Sequence, residues 1–191
     1  MNAKEGEGRG EGTFIGARLS ATSLDALELY MRDNDIPNAL SREHLHITIV
    51  NSDVSFPYTR DAGSFSSDSA CFCLKSYCDE DKEEKGEQLP LFLYHGTFKL
   101  SMWKTSLGTS CLVLNLQSPE LQARHQAARA LGATHAWKQY SPHLTLSYDC
   151  GDSFAVARLS PPRFDLEVVH EFGEDRVEGW SGLLTRSSSR S

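Results

Sequence analysis

Apolar and polar residues alternate along several short stretches of this chain, and alternation with period two marks strands half-buried in a sheet. TFIGARL (13–19), LHITIV (45–50), SCLVLNLQ (110–117), HLTLSYD (143–149) and RFDLEVVHEFG (163–173) read as strands in this way. LFLYHGTFKLSMWK (91–104) is a further strand-like run, joined to the 110–117 run by TSLGT, whose Gly108 suits a hairpin turn. Two segments shift to a helical period. SLDALELYMRDNDI (23–36) puts Leu24, Leu27, Tyr30 and Met31 on one face, with Thr22 or Ser23 as cap. Pro119 opens a second helix, ELQARHQAARALGA, and Gly132 ends it. The predicted order is β-α-β, an interruption, then β-β-α-β-β. Each half runs strand, helix, strand, as an internal duplication would.

The interruption spans 52–89, where SSDS, the acidic DEDKEEKGE and a single short CFCL piece replace the periodic pattern. It reads as an insertion, either a long surface loop or a small hairpin, with the charge run as a solvated face. Residues 1–11 and 184–191 have no apolar anchor and read as mobile tails. What remains, 12–183, is one domain: 191 residues with 39% hydrophobic and 24% charged suffice for one core without disulfide or metal staples. No run approaches the roughly 18 apolar residues of a membrane span, and MNAKEGEGRGEG lacks the apolar stretch of a signal peptide. The chain is therefore read as cytoplasmic and without a membrane partner.

Five cysteines, at 71, 73, 78, 111 and 150, make no disulfide framework. Cys71, Cys73 and Cys78 offer three zinc ligands with only His95 near as a fourth, so reduced thiols and no metal or other cofactor are expected. The net charge of −7 argues against a basic surface for long nucleic acid. A small anionic ligand stays compatible with it, because a few local cations can hold one or two phosphates. Lys99, Lys104, Lys138 and Arg18 are candidates, each with surface solubility as its alternative role.

The chemistry lies in a repeat. HLHITIV (44–50) and PHLTLSY (142–148) each write His-aliphatic-Thr-aliphatic on the strand that follows a helix. Strand parity places His46 with Thr48, and His143 with Thr145, on the face opposite the aliphatic residues. His44 cannot head the first motif, since position 46 is His and not Thr; it lies on the same face as a neighbour. Two imidazoles and two hydroxyls with no carboxylate cluster beside them suit acid–base chemistry on a phosphodiester. One His would take the proton of the attacking hydroxyl and the other would give one to the leaving oxygen. The Thr hydroxyls would donate to the non-bridging oxygens.

The paired motifs resemble the signature of the two-histidine (2H) phosphoesterase superfamily. GTF (12–14), NDIPNAL (34–40), the two His-x-Thr motifs and EFGEDRVEGW (171–180) together are similar to the phage anti-CBASS nuclease family. The resemblance covers most of the chain outside the tails and 52–89. It implies an α+β fold of two pseudo-symmetric βαβ lobes, with antiparallel sheets around a central cleft and helices outside. It further implies a metal-independent phosphodiesterase that opens cyclic di- or trinucleotide messengers of CBASS immunity, in the cytoplasm of the host. His46, Thr48, His143 and Thr145 would be catalytic under this likeness. Phe14, Trp103, Tyr140, Glu174 and Trp180 would bind substrate, with Phe14 standing where the family has a GTY-type aromatic and Glu171 as the alternative register for the acid. Phe14 and Trp103 read equally as core aromatics, Trp180 as the cap of a core edge, and Tyr140 as a loop end. Two rivals stand beside this function: a 2′,3′-cyclic phosphodiesterase acting on RNA ends, and a non-catalytic module that sequesters nucleotides.

Overall fold

The structure, a computed structural model, describes residues 12–58, 61–64, 90–105, 107–134 and 139–176. Both tails, the cysteines at 71, 73 and 78, Lys138 and Trp180 lie outside the described residues. Among the described residues, eight strands and two helices follow in the order β1 (Gly12–Leu19), α1 (Ala21–Asp33), β2 (Ile47–Ser52), β3 (Asp61–Ser64), β4 (Leu91–Leu93), β5 (Lys99–Lys104), β6 (Ser110–Asn115), α2 (Pro119–Ala130), β7 (His143–Ser147) and β8 (Leu166–Arg176).

Several boundaries differ from the sequence pattern for local reasons. The cap of α1 is Ser20, whose hydroxyl accepts from the Ser23 N–H, so the helix starts before Thr22 and Ser23. It stops at Asp33, short of Ile36, because Asp35 takes a left-handed φ of 48°. Residues 42–44 coil into a single 3₁₀ turn, so His44 does not continue the strand as a same-face neighbour of His46. The 91–104 run breaks into β4 and β5 around another such turn at His95–Thr97. Pro119 does open α2, and Gly132 beyond its end has a φ of 102°, conformations these residues favour.

The strands form an antiparallel sheet in the order β3-β8-β1-β2-β7-β6-β5, with β4 also paired to β8. The central run β1-β2-β7-β6 is symmetric about the β2/β7 seam, since β1-α1-β2 and β6-α2-β7 are the same unit. An offset of 97 residues relates them position by position: Ala17–Ile47, Gly16–Thr48 and Ile15–Val50 in one lobe match Leu114–Leu144, Val113–Thr145 and Leu112–Ser147 in the other. Even the register irregularity recurs at the same place, between Ile15 and Gly16 and between Leu112 and Val113. The expected lobes meet along one seam, where Ile47 pairs with Leu144. Part of the predicted insertion belongs to the sheet, for β3 lies along β8.

One face of the sheet is the core. Ile15, Ile47, Ile49, Leu112, Leu114, Leu144 and Leu146 are all but fully buried there, beneath Leu27 and Met31 of α1 and Leu121 of α2. Each such burial stabilises the fold by about 1.5–3 kcal/mol. Both helices cover this face, so the alternate residues of β2 and β7 are left on the other.

Candidate active site

On the open face, the residues flanking Ile47 and Leu144 are His46, Thr48, His143 and Thr145, all partly exposed. The internal two-fold passes between those two aliphatic residues, so the four side chains surround one point. The turns before the strands orient both imidazoles in the same manner. His46 Nδ1 is 2.8 Å from the carbonyl of His44, and His143 Nδ1 is 2.9 Å from that of Ser141. A carbonyl only accepts, so Nδ1 carries the proton in each ring and donates it. Nε2 is then left as the nitrogen that takes or gives a proton. Burial pushes the Cys111 thiol up to about 11 and the Tyr148 hydroxyl up to about 12, and the neighbouring Thr145 hydroxyl opposes both shifts. The main-chain carbonyl of Thr48 accepts from the Tyr140 hydroxyl at 2.9 Å.

Burial sets the charge state. It pushes the His46 imidazole down from 6.5 to about 4, against the pull of the His44 carbonyl, with smaller contributions from the charges of His143, His44 and Arg18. His143 is lowered for the same reason, and the Ser141 carbonyl opposes the shift. Both rings are neutral at pH 7 in the free protein. The His44 ring is held by the turn itself, its Nδ1 2.9 Å from the Ser41 hydroxyl.

Aromatic rings flank both histidines. Phe14 meets His46 edge to face at 5.4 Å, and Trp103 lies 4.5 Å from His143. Phe14 is only 5% exposed, yet it packs on the open face and is absent from the core cluster. Phe172, which the sequence reading did not single out, completes the His46 side at 5.9 Å from Phe14 and 6.4 Å from His46. Counting alternate residues from Leu166 and Val168 would bury Phe172. An irregularity in β8 between Val168 and His170 reverses the parity, and no local signal announces it. Gly16 lies between these rings and Thr48: a Cβ there would come within 2.8 Å of Phe172 and 2.9 Å of Phe14.

The acid's two registers separate cleanly. Glu174 pairs with Phe14 and opens onto a cavity of about 450 Å³ that Phe14, Arg18, His44, His46 and Phe172 also line. Glu171 pairs with Ala17, faces the core side, and is 3% exposed in an ion pair of 2.5 Å with Arg124. Tyr140 stacks on His125 at 4.1 Å, while His125 Nδ1 reaches the Ile49 carbonyl at 2.8 Å. Of the proposed phosphate cations, Lys104 is held by Asp152 and Ser110 at 2.5 and 2.9 Å. Among the described residues no three His, Cys, Asp or Glu side chains are grouped as metal ligands, and no helix is long and apolar enough to cross a membrane. Cys111 and Cys150 are free and buried.

The arrangement agrees with known proteins in fold and in sequence. A crystal structure of a phosphoesterase superposes with a TM-score of 0.50 at 16% identity, over 86% of this chain and 87% of that one, and shares the fold. Anti-CBASS protein Acb1 of Enterobacteria phage T4 is 39% identical over 140 residues, which are 73% of this chain and 74% of that protein. Its counterpart in Yersinia phage phiR1-RT is 32% identical over 176 residues, covering 91% of this chain and 94% of that protein. The family anti-CBASS protein Acb1 matches residues 11–182, which include both lobes and both His-x-Thr motifs. The chain belongs to the anti-CBASS protein Acb1 family.

Proposed function

We propose that this protein is a phosphodiesterase that opens cyclic oligonucleotide messengers at 3′–5′ linkages and thereby counters CBASS immunity. The observation that carries the reading is the matched clamping of two imidazoles: each Nδ1 donates to a carbonyl two residues back, which supports Nε2 as the reactive nitrogen on both.

The scissile phosphate sits on the internal two-fold. Nε2 of one neutral histidine removes the proton of the adjacent 2′-hydroxyl, whose oxygen forms a new bond to phosphorus. The phosphorus–O5′ bond breaks, and O5′ takes a proton from Nε2 of the other histidine, then protonated. The product is a 2′,3′-cyclic phosphate; water in the place of the departed O5′ group then attacks phosphorus, its proton going to the histidine that had been the acid, while the phosphorus–O2′ bond breaks and O2′ takes a proton from the histidine that had been the base. Thr48 and Thr145 donate to the non-bridging oxygens, where negative charge concentrates. Phe14, Trp103 and Phe172 offer faces for bases, with stacking worth about 1–3 kcal/mol per base. Tyr140 holds the backbone of Thr48 from beneath and acts by positioning it.

The test is incubation with cyclic di- and trinucleotides and with an RNA bearing a 2′,3′-cyclic end, in chelator, beside His46→Ala and His143→Ala. Opening of the rings by the wild type and its loss in both variants is expected. Activity confined to the RNA end would replace the substrate class, tight binding without turnover would replace the enzyme with a sequestering module, and loss of turnover in chelator would overturn the metal-free mechanism.

A further inference from the structure

The catalytic quartet obeys the internal two-fold, but its surroundings do not. Under the 97-residue offset, Arg18 beside His46 corresponds to Asn115 beside His143. Asn115 is neutral, and its Nδ2 already donates to the Lys99 carbonyl at 3.0 Å and the Ser101 hydroxyl at 2.8 Å. Both amide hydrogens are thus in use. Arg18 is exposed, lines the His46 cavity, and makes no ion pair or hydrogen bond among the described residues. Arg42, the other arginine of that cavity, is engaged by Asp25, Glu28 and the Ala21 carbonyl.

The direction in which Arg18 leans decides what it serves. Its guanidinium lies 4.6 Å above the ring of Phe172. Phe172 is on β8, which pairs with β1 on the side away from β2. The charge is therefore drawn outward, roughly two strand spacings or about 10 Å from the seam where the reacting phosphate sits. Stacking on an aromatic face leaves the in-plane N–H fork free for a bidentate anion.

We propose that Arg18 grips the phosphate neighbouring the one that is cut, making it a specificity-determining residue for substrates with more than one phosphate. This rests on the proposed function and deepens it. The lobe carrying His46 holds the uncut part of the ring, and the lobe carrying His143, with Asn115 in the equivalent place, does not. A ring of two or more phosphates gains this contact, whereas a lone phosphodiester does not.

The test is a mutant cycle between Arg18→Ala and the substrate. Steady-state kinetics are measured on a cyclic dinucleotide and on its analogue with one phosphodiester replaced by a neutral formacetal, which keeps a single cleavable linkage. For the natural ring, Arg18→Ala is expected to raise KM about tenfold or more with kcat nearly unchanged, the range of a lost charge-assisted hydrogen bond. For the analogue, the variant and the wild type are expected to agree within about twofold, and Arg18→Lys to recover part of the loss on the natural ring. An equal loss on both compounds, or a fall in kcat, would place Arg18 on the reacting phosphate and overturn the proposal; so would an unchanged KM on the natural ring. A wild type that turns over neither compound would instead remove the phosphodiesterase reading on which the proposal rests.

Discussion

Ile47 and Leu144 pair across the seam of the sheet, and each is the other's counterpart under the internal two-fold. A residue paired with its own equivalent marks the axis, so whatever flanks one is repeated around the other. That single pairing brings two His-x-Thr motifs, 97 residues apart, side by side on the open face of the sheet.

Each histidine is expected to be needed. His46→Ala and His143→Ala should each lower kcat by roughly 10²–10⁴ while leaving the thermal midpoint nearly unchanged, and the double variant should lose little more than either single one. Single-turnover rates on a cyclic dinucleotide check this; independent, multiplicative losses would contradict a shared proton relay.

The pH profile follows from burial. One histidine must be protonated to act as acid, yet His46 is held at about 4 and His143 below 6.5 in the free protein. A bound phosphodiester anion raises both, since opposite charge favours the protonated ring. The alkaline limb of kcat/KM, which reports the free protein, should fall below pH 6.5, and that of kcat should lie at higher pH. Coincident limbs would show that substrate charge does not tune the pair.

Stability should share this dependence. The folded value of about 4 for His46 lies below the ordinary 6.5, so between the two the unfolded chain binds a proton that the folded protein does not. Stability is full above pH 6.5 and declines as pH falls toward 4, by on the order of 2–3 kcal/mol. Urea unfolding at pH 7 and pH 4.5 measures the decline, and His46→Gln should reduce it.

Gly16→Ala is expected to disturb the site without touching a catalytic group. The added Cβ would meet both Phe14 and Phe172 at under 3 Å, so the rings must move. A stability loss of about 1–3 kcal/mol and a raised KM for cyclic substrates should follow, read by unfolding and steady-state kinetics. An unaltered KM would separate these rings from substrate binding.

The ion pair of Arg124 and Glu171, both 3% exposed, joins α2 to β8 behind the site. Glu171→Leu alone should cost about 3–5 kcal/mol by removing the carboxylate paired with a buried guanidinium, and Arg124→Met with Glu171→Leu should recover most of it. Denaturant midpoints decide the matter; additive losses would mean that the pair is not coupled.

Much of this protein was legible in its sequence. Period-two alternation placed the strands of the His-x-Thr motifs and helical periodicity the helices, because these patterns depend only on which neighbours point the same way. Parity put each His beside its Thr, and the repeated motif told His46 from His44. The three-dimensional structure alone decided what depends on register between distant strands. The seam at Ile47 and Leu144, the reversed parity that brings Phe172 and Glu174 to the open face, and the burial of Glu171 against Arg124 all depend on partners more than 40 residues away. A slip of one position exchanges the two faces of a strand at no local cost, so only long-range packing could settle which side Phe172 takes. The proton on Nδ1 of each histidine was likewise set by the fold of the preceding turn, since a carbonyl two residues back has to be aimed at the ring.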